Sequence, residues 1–271
     1  MPFLPVIPFP AIDPVIIDLP GPLALRWYSL LWLLGCLAAW AYVRWFVKAP
    51  PHALTAQQAG DFLVWGILGT VLGGRIGYVT FYAPGMVAHD PLSVFAIWDG
   101  GMSFHGGLIG VVAAVWLFVR RHGLVFYAVS DALCTSAPLG LFCVRIANFI
   151  NGELWGRVTD VPWAMVFPRG GPEPRHPSQL YEAALEGVVL FIILHTLSRF
   201  DAVRTRPGIL TGAFFIGYGI FRALVELVRQ PDVQLGFLAF GLTMGQWLSL
   251  PVLLAGLYFI LRAVRAGKGS A

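Results

Sequence analysis

The chain has 271 residues, of which 58% are apolar and only 12% charged. An ordinary soluble domain carries about 25% charged residues, so this chain has too little polar surface to cover a soluble globule, and membrane residence is the expectation. The net charge of +4 invites a nucleic-acid or acidic partner, but the placement of the cations described below reads as a topology signal, and nucleic-acid binding drops out.

The first residues do not read as a cleavable signal peptide. No early positive charge is present, and prolines at 2, 5, 8, 10, 14 and 20 interrupt any long apolar helix. Seven segments follow that are apolar enough, at about 20 residues each, to cross a bilayer: 22–44, 58–82, 104–120, 124–147, 179–198, 208–228 and 243–262. Cys36, Cys134 and Cys143 lie inside apolar runs without CxxC spacing and read as packing residues. Leu33-Leu34-Gly35-Cys36 looks like a lipobox, but it sits within a membrane segment and reads as coincidence. The longest connection, 148–178, holds Pro162, Pro168, Pro172, Pro174 and Pro177 with Gly170 and Gly171, and reads as an ordered head outside the bilayer. The expected architecture is all-α: one integral membrane domain over residues 1–271, with about seven helices, a small extracytoplasmic head and an outward-facing polar cavity.

Of the 18 Lys and Arg residues, ten fall in connections on one side (Arg44, Lys48, Arg120, Arg121, Arg199, Arg204, Arg206, Arg262, Arg265, Lys268) and four on the other (Arg157, Arg169, Arg175, Arg229). Cytoplasmic loops carry the cation excess, which places the N-terminus outside and the C-terminus in the cytoplasm. Arg26, Arg75, Arg145 and Arg222 remain, each in the outer half of a span. A charge at the centre of a span costs about 2.5–3.5 kcal/mol, so four at one depth point to a shared polar cavity. Arg26 lies near an interface, where snorkelling or pairing explains it equally well.

Five motifs gather the remaining polar residues. Gly73-Gly74-Arg75-Ile76-Gly77 ends the second span, with small residues at 66, 70 and 74 and at 73 and 77 that permit close helix approach. Trp98-Asp99-Gly100-Gly101-Met102-Ser103-Phe104-His105-Gly106-Gly107 opens the third. His105, with an ordinary pKa near 6.5, is either a helix-end residue or a proton acceptor. Arg145-Ile146-Ala147-Asn148-Phe149-Ile150-Asn151-Gly152-Glu153-Leu154-Trp155-Gly156-Arg157 is the densest. Arg145 and Asn148 share a helix face, and the planar guanidinium suits a phosphate. His176-Pro177-Ser178-Gln179-Leu180-Tyr181-Glu182 enters the fifth span. There Ser178 reads as a cap, Tyr181 as a cavity or interfacial residue, and Glu182 as a cavity residue. Finally Arg222, Glu226 and Arg229 form an i,i+4 and i,i+3 charge ladder, in which Glu226 orients arginine.

In order and separation these motifs resemble the bacterial prolipoprotein diacylglyceryl transferases, from Arg26-Trp27-Tyr28 to Gln230-Pro231-Asp232. The resemblance implies transfer of the diacylglyceryl group from phosphatidylglycerol to the lipobox cysteine of a preprolipoprotein signal peptide. This is the first step of lipoprotein maturation, at the outer face of the inner membrane. A thioether forms and glycerol phosphate leaves. The resemblance also implies that Arg145 and Arg222 are essential and handle the phospholipid, that His105 is important, and that Asn148, Glu153 and Gly156 support the site. Together with the reading of the residues, the expected catalytic set is His105, Arg145 and Arg222, and the expected substrate-binding set Tyr28, Arg75, Arg145, Asn148, Asn151, Glu153, Gly156, Tyr181 and Glu226. No metal and no cofactor is expected, because His105, His122, His176 and His195 lack ligand spacing and no nucleotide loop is present. An anion or lipid transporter and a non-catalytic scaffold are the rival readings. The first calls for an internal repeat or broken helices near the midplane, and no convincing repeat is seen. The second predicts tolerance of alanine at Arg145 or Asn148.

Overall fold

The computed structural model describes residues 7–20, 24–86, 90–97, 100–231 and 236–268. Trp98, Asp99 and Asp232, which belong to two of the motifs, lie outside the described residues. The chain forms seven helices long and apolar enough to span a bilayer: α1 (Trp27–Phe46), α2 (Ala56–Phe81), α3 (Phe104–His122), α4 (Phe126–Ile150), α5 (Ser178–Leu197), α6 (Ile209–Glu226) and α7 (Met244–Lys268). The all-α, polytopic architecture is therefore established, with span boundaries within a few residues of expectation. The last helix runs past the expected 262 to Lys268, and α1 begins at Trp27 and not near residue 22. Pro20 breaks the chain, and residues Ala24–Arg26 form a short strand (β3) paired with Val15–Asp18 (β2). A second pair, β1 (Ile7–Pro8) with β4 (Met165–Val166), is parallel, with Ile7 opposite Met165.

Contacts divide the chain into two compact units: residues 1–17, 25–39 and 133–271, and residues 18–24 and 40–132. In the second unit α2 crosses α3 through glycine. A Cβ on Gly69 would stand 2.7 Å from the Gly110 carbonyl oxygen, and one on Gly77 2.7 Å from Gly106 Cα. The Gly73 and Gly77 row therefore brings the backbones together, and Gly69 extends it. Without hydrophobic drive between helices in lipid, such close packing holds them. Thr55 and Gln58 form a capping box at the start of α2, and Ser103 caps α3 through the Gly106 N–H. At the other end of α3, Arg120, Arg121 and His122 face the negative end of the helix dipole before Gly123 turns the chain at φ 63°.

In the first unit α6 and α7 approach the same way, through Gly212 and Gly256. Helix α5 is not a regular α-helix. Residues Ala183–Val189 form a π-helical turn, pressed on α4 so closely that a Cβ on Gly187 would stand 2.7 Å from Phe142 Cβ. Turns of this kind are rare and recur at functional sites.

Candidate functional site

The polar centre of the first unit begins with α5. Gln179, Glu182 and Glu186 recur at helical spacing, and none has solvent-accessible surface. An unpaired buried carboxylate is costly, so each needs partners, and arginines from α4 and α6 supply them. Arg145 Nη1 lies 3.2 Å from Glu182 Oε2 and its Nη2 3.3 Å from Glu186 Oε2. Arg222 pairs with Glu182 Oε1 through Nη1 and with Glu226 Oε1 through Nη2. Arg229 Nη1 joins Glu182 Oε1 at 2.9 Å, with its Nε 3.8 Å from Glu226 Oε1. Glu182 is thus the hub of a network in which three arginines meet three glutamates. The charges offset one another, which is what allows them to sit among apolar helices.

Glu226 is completed by the start of α7. Thr243 Oγ1 donates to Glu226 Oε2 at 2.6 Å, while Gly245 leaves the space its carboxyl fills: a Cβ there would stand 2.5 Å from Glu226 Cδ. Glu226 therefore does hold Arg222. Tyr218, one turn before Arg222, lies within electrostatic range of Arg145, Arg222, Glu182 and Glu186.

The segment after α4 supplies the other wall. Glu153 Oε1 accepts from Asn148 Nδ2 at 2.8 Å and Asn151 Nδ2 at 3.2 Å, and its main-chain carbonyl accepts from Gln179 Nε2. Tyr28, at the start of α1, is within electrostatic range of Glu153 and Arg145. Ser178 is a tether and not a cap: its Oγ donates to the Leu154 carbonyl at 2.9 Å, and no side chain caps α5. Leu154 itself holds a positive φ of 59°, a strained conformation for a branched residue. Gly156 is required by contact, since a Cβ would stand 2.6 Å from both His176 Cβ and the Val228 carbonyl oxygen. Arg157 then closes the end of α6, donating from Nε to the Arg229 carbonyl at 3.0 Å and from Nη2 to the Glu226 carbonyl at 3.2 Å. Tyr181 accepts from Trp163 Nε1 at 2.6 Å and bonds His176 Nδ1 at 3.1 Å. Partial burial holds the His176 pKa below its ordinary value.

Arg75 and His105 belong to the second unit. Arg75 is buried, and its donors go to the connection before α3: Nε to the Val94 carbonyl at 2.8 Å, Nη2 to Ser93 O at 2.6 Å and to Met86 Sδ at 3.9 Å, Nη1 to the carbonyls of Gly100 and Gly101. Those contacts occupy all five of a guanidinium's donors, so Arg75 folds this connection against α2. His105 lies in the first turn of α3, exposed, its ring against Phe104. Among the described residues no hydrogen bond fixes it.

Within the first unit the fold gathers Tyr28, Arg145, Asn148, Asn151, Glu153, Arg222 and Glu226, and holds Gly156 and Tyr181 beside them. Glu186 and Thr243 were not singled out from the sequence. Both had a signal: Glu186 continues the Gln179 and Glu182 spacing on one helix face, and Thr243 with Gln246 forms a capping pair whose hydroxyl also reaches Glu226.

Seven helices long and apolar enough to cross a bilayer define a multi-pass membrane protein, and its first unit holds a buried, offset ionic centre. The family model for prolipoprotein diacylglyceryl transferase matches residues 14–262. The phosphatidylglycerol–prolipoprotein diacylglyceryl transferase of Rhodospirillum centenum is 54% identical over 260 residues, covering 95% of this chain and 94% of its own. That of Rhodospirillum rubrum is 54% identical over 262 residues (96% and 95%), and that of Nitratidesulfovibrio vulgaris strain Hildenborough 55% over 254 (93% and 95%). The chain belongs to the prolipoprotein diacylglyceryl transferase family, and is a transferase of the bacterial membrane.

Proposed function

We propose that this chain moves the diacylglyceryl group of phosphatidylglycerol onto the lipobox cysteine thiol of a preprolipoprotein. The observation that carries the reading is the family match over residues 14–262, and it is supported by the meeting of Arg145 and Arg222, from different helices, on Glu182. In the reaction the thiol sulfur attacks the glycerol carbon bonded to the phosphate. A C–S bond forms, that C–O bond breaks, and glycerol phosphate leaves with the electron pair.

A departing phosphate needs charge stabilisation more than protonation. Each arginine keeps N–H groups beyond those in its ion pairs, and the buried Arg145 Nε has no acceptor among the described residues. These edges hold the phosphate, while Glu182, Glu186 and Glu226 keep the guanidinium planes in place. His105 takes the thiol proton, whose ordinary pKa of about 8.5 leaves little thiolate at neutral pH. Arg75 contributes by positioning the connection that leads into His105. The 271 residues act as one domain, both units serving one activity. Residues 148–178 form the extracytoplasmic head, the polar centre opens outward, and the N-terminus is outside with the C-terminus in the cytoplasm.

Reconstitution with phosphatidylglycerol and a lipobox peptide tests the reading. A mass gain of one diacylglyceryl group on the peptide is expected. No gain from folded protein with lipid present overturns it.

A further inference from the structure

Three amides are hung on Glu153, and their orientation follows from chemistry. A carboxylate and a carbonyl only accept hydrogen bonds, so Asn148 and Asn151 must turn their NH₂ groups to the Glu153 carboxylate, and Gln179 its NH₂ to the Glu153 carbonyl. Glu153 thereby settles the O/N assignment that an amide otherwise leaves open. The oxygens then face away. Asn148 Oδ1 and Gln179 Oε1 are both buried, and neither meets a donor among the described residues. Gln179 has no solvent-accessible surface and Asn148 only 5%. Asn148 lies one turn from Arg145 on α4, and Gln179 one turn from Glu182 on α5, so both residues neighbour the proposed phosphate clamp. Glu186 Oε1 is a further buried acceptor without a donor.

A buried acceptor left unmet costs about 1–3 kcal/mol, and a phosphate cannot satisfy one, since it too only accepts. The phosphatidylglycerol head carries hydroxyl donors beyond its phosphate. We infer that Gln179 Oε1 and Asn148 Oδ1, oriented by Glu153, accept the head-group hydroxyls of the donor lipid and so select a polyol head over one without donors. The inference rests on phosphatidylglycerol being the donor. Gln179 and Asn148 are binding residues here, and Glu153 a positioning residue.

The test compares phosphatidylglycerol with phosphatidylpropanol, which keeps the phosphodiester charge and the diacylglyceryl group but lacks the head hydroxyls. The bond broken is the same, so the ratio of kcat/KM values reports recognition. With purified full-length protein in mixed micelles and a lipobox peptide, the ratio should be about tenfold or more, the effect of roughly one hydrogen bond to a buried acceptor. In Gln179→Met, which keeps the volume and removes the oxygen, the ratio should fall several-fold toward one, mostly through KM. Glu153→Gln should lower it too, because an amide in place of the carboxylate lets Asn148 and Asn151 turn over. A wild-type ratio near one overturns the inference whether or not either variant folds. So does a folded Gln179→Met that discriminates as wild type does, the outcome expected if those oxygens bind only water. No transfer from either lipid would instead sink the transfer reading itself.

Discussion

Arg145 on α4 and Glu182 on α5 are joined by an ion pair of 3.2 Å, and Glu182 in turn receives Arg222 from the last turns of α6 and Arg229 from just beyond it. One carboxylate thus ties two helices to a third. Removing it leaves three guanidinium groups short of a partner inside apolar helices, and breaking a buried pair from one side costs about 3–5 kcal/mol. Glu182→Ala should therefore melt at a clearly lower temperature in detergent and lose transfer. Wild-type melting with wild-type activity would remove Glu182 from its place as hub.

Arg145→Lys and Arg222→Lys keep a positive charge but lose the planar fork that reaches two partners at once. Transfer should fall about a hundredfold or more in each, on the scale of losing one oxyanion donor. The reading is a steady-state transfer assay on protein whose melting curve shows it folded. Normal transfer by Arg145→Lys would leave the phosphate clamp without its main member.

His105→Gln separates a base from a mere helix-end residue. If His105 takes the thiol proton, the variant should lose about 10²–10⁴ in rate at neutral pH, and should recover as pH approaches the thiol pKa of about 8.5. A pH–rate profile that runs parallel to wild type would discard the base assignment.

Glycine at the α2–α3 crossing should be intolerant of a side chain where Gly140 is not. A Cβ on Gly110 would fall on the Gly69 carbonyl oxygen, whereas one on Gly140 meets nothing within 4 Å. Gly110→Val should destabilise by about 1–3 kcal/mol or more, and Gly140→Ala should change stability by under about 0.5 kcal/mol. Paired thermal melts check both, and equal effects would mean the crossing is not glycine-dependent.

His176 sets a pH dependence of stability. Burial lowers its pKa in the folded chain, so the unfolded chain binds the proton first as pH falls below about 6.5. Stability from the neutral ring is therefore full above that pH and is lost as pH falls toward the folded value. The loss should be small, because the ring is only partly buried. Melting temperatures at pH 7.5 and 5.5 should differ less for His176→Gln than for wild type; identical differences would assign the dependence to other groups.

Much of this was legible along the chain. Spans are a matter of length and apolar composition, so all seven could be read directly, and the motif around Arg145 marked the densest polar cluster because charge is so rare elsewhere. Local bonds were legible too: Glu226 sits one turn from Arg222, within reach on any helix. The hub was not. Sequence spacing ranks Glu182 as one more polar residue, and Glu186 lies in an apolar run where a helical wheel alone assigns it no partner. Only the packing of α4, α5 and α6, with the π-helical turn on α5, brings their carboxylates to the arginines. The same holds for Arg75, whose partners are main-chain carbonyls that carry no residue identity. By itself the sequence determined the membrane class, the spans and the family, because these depend on composition and local order. Which charges offset one another, and which buried amide oxygens are left without a donor among the described residues, was decided by tertiary structure, because both depend on distances between residues far apart in the chain.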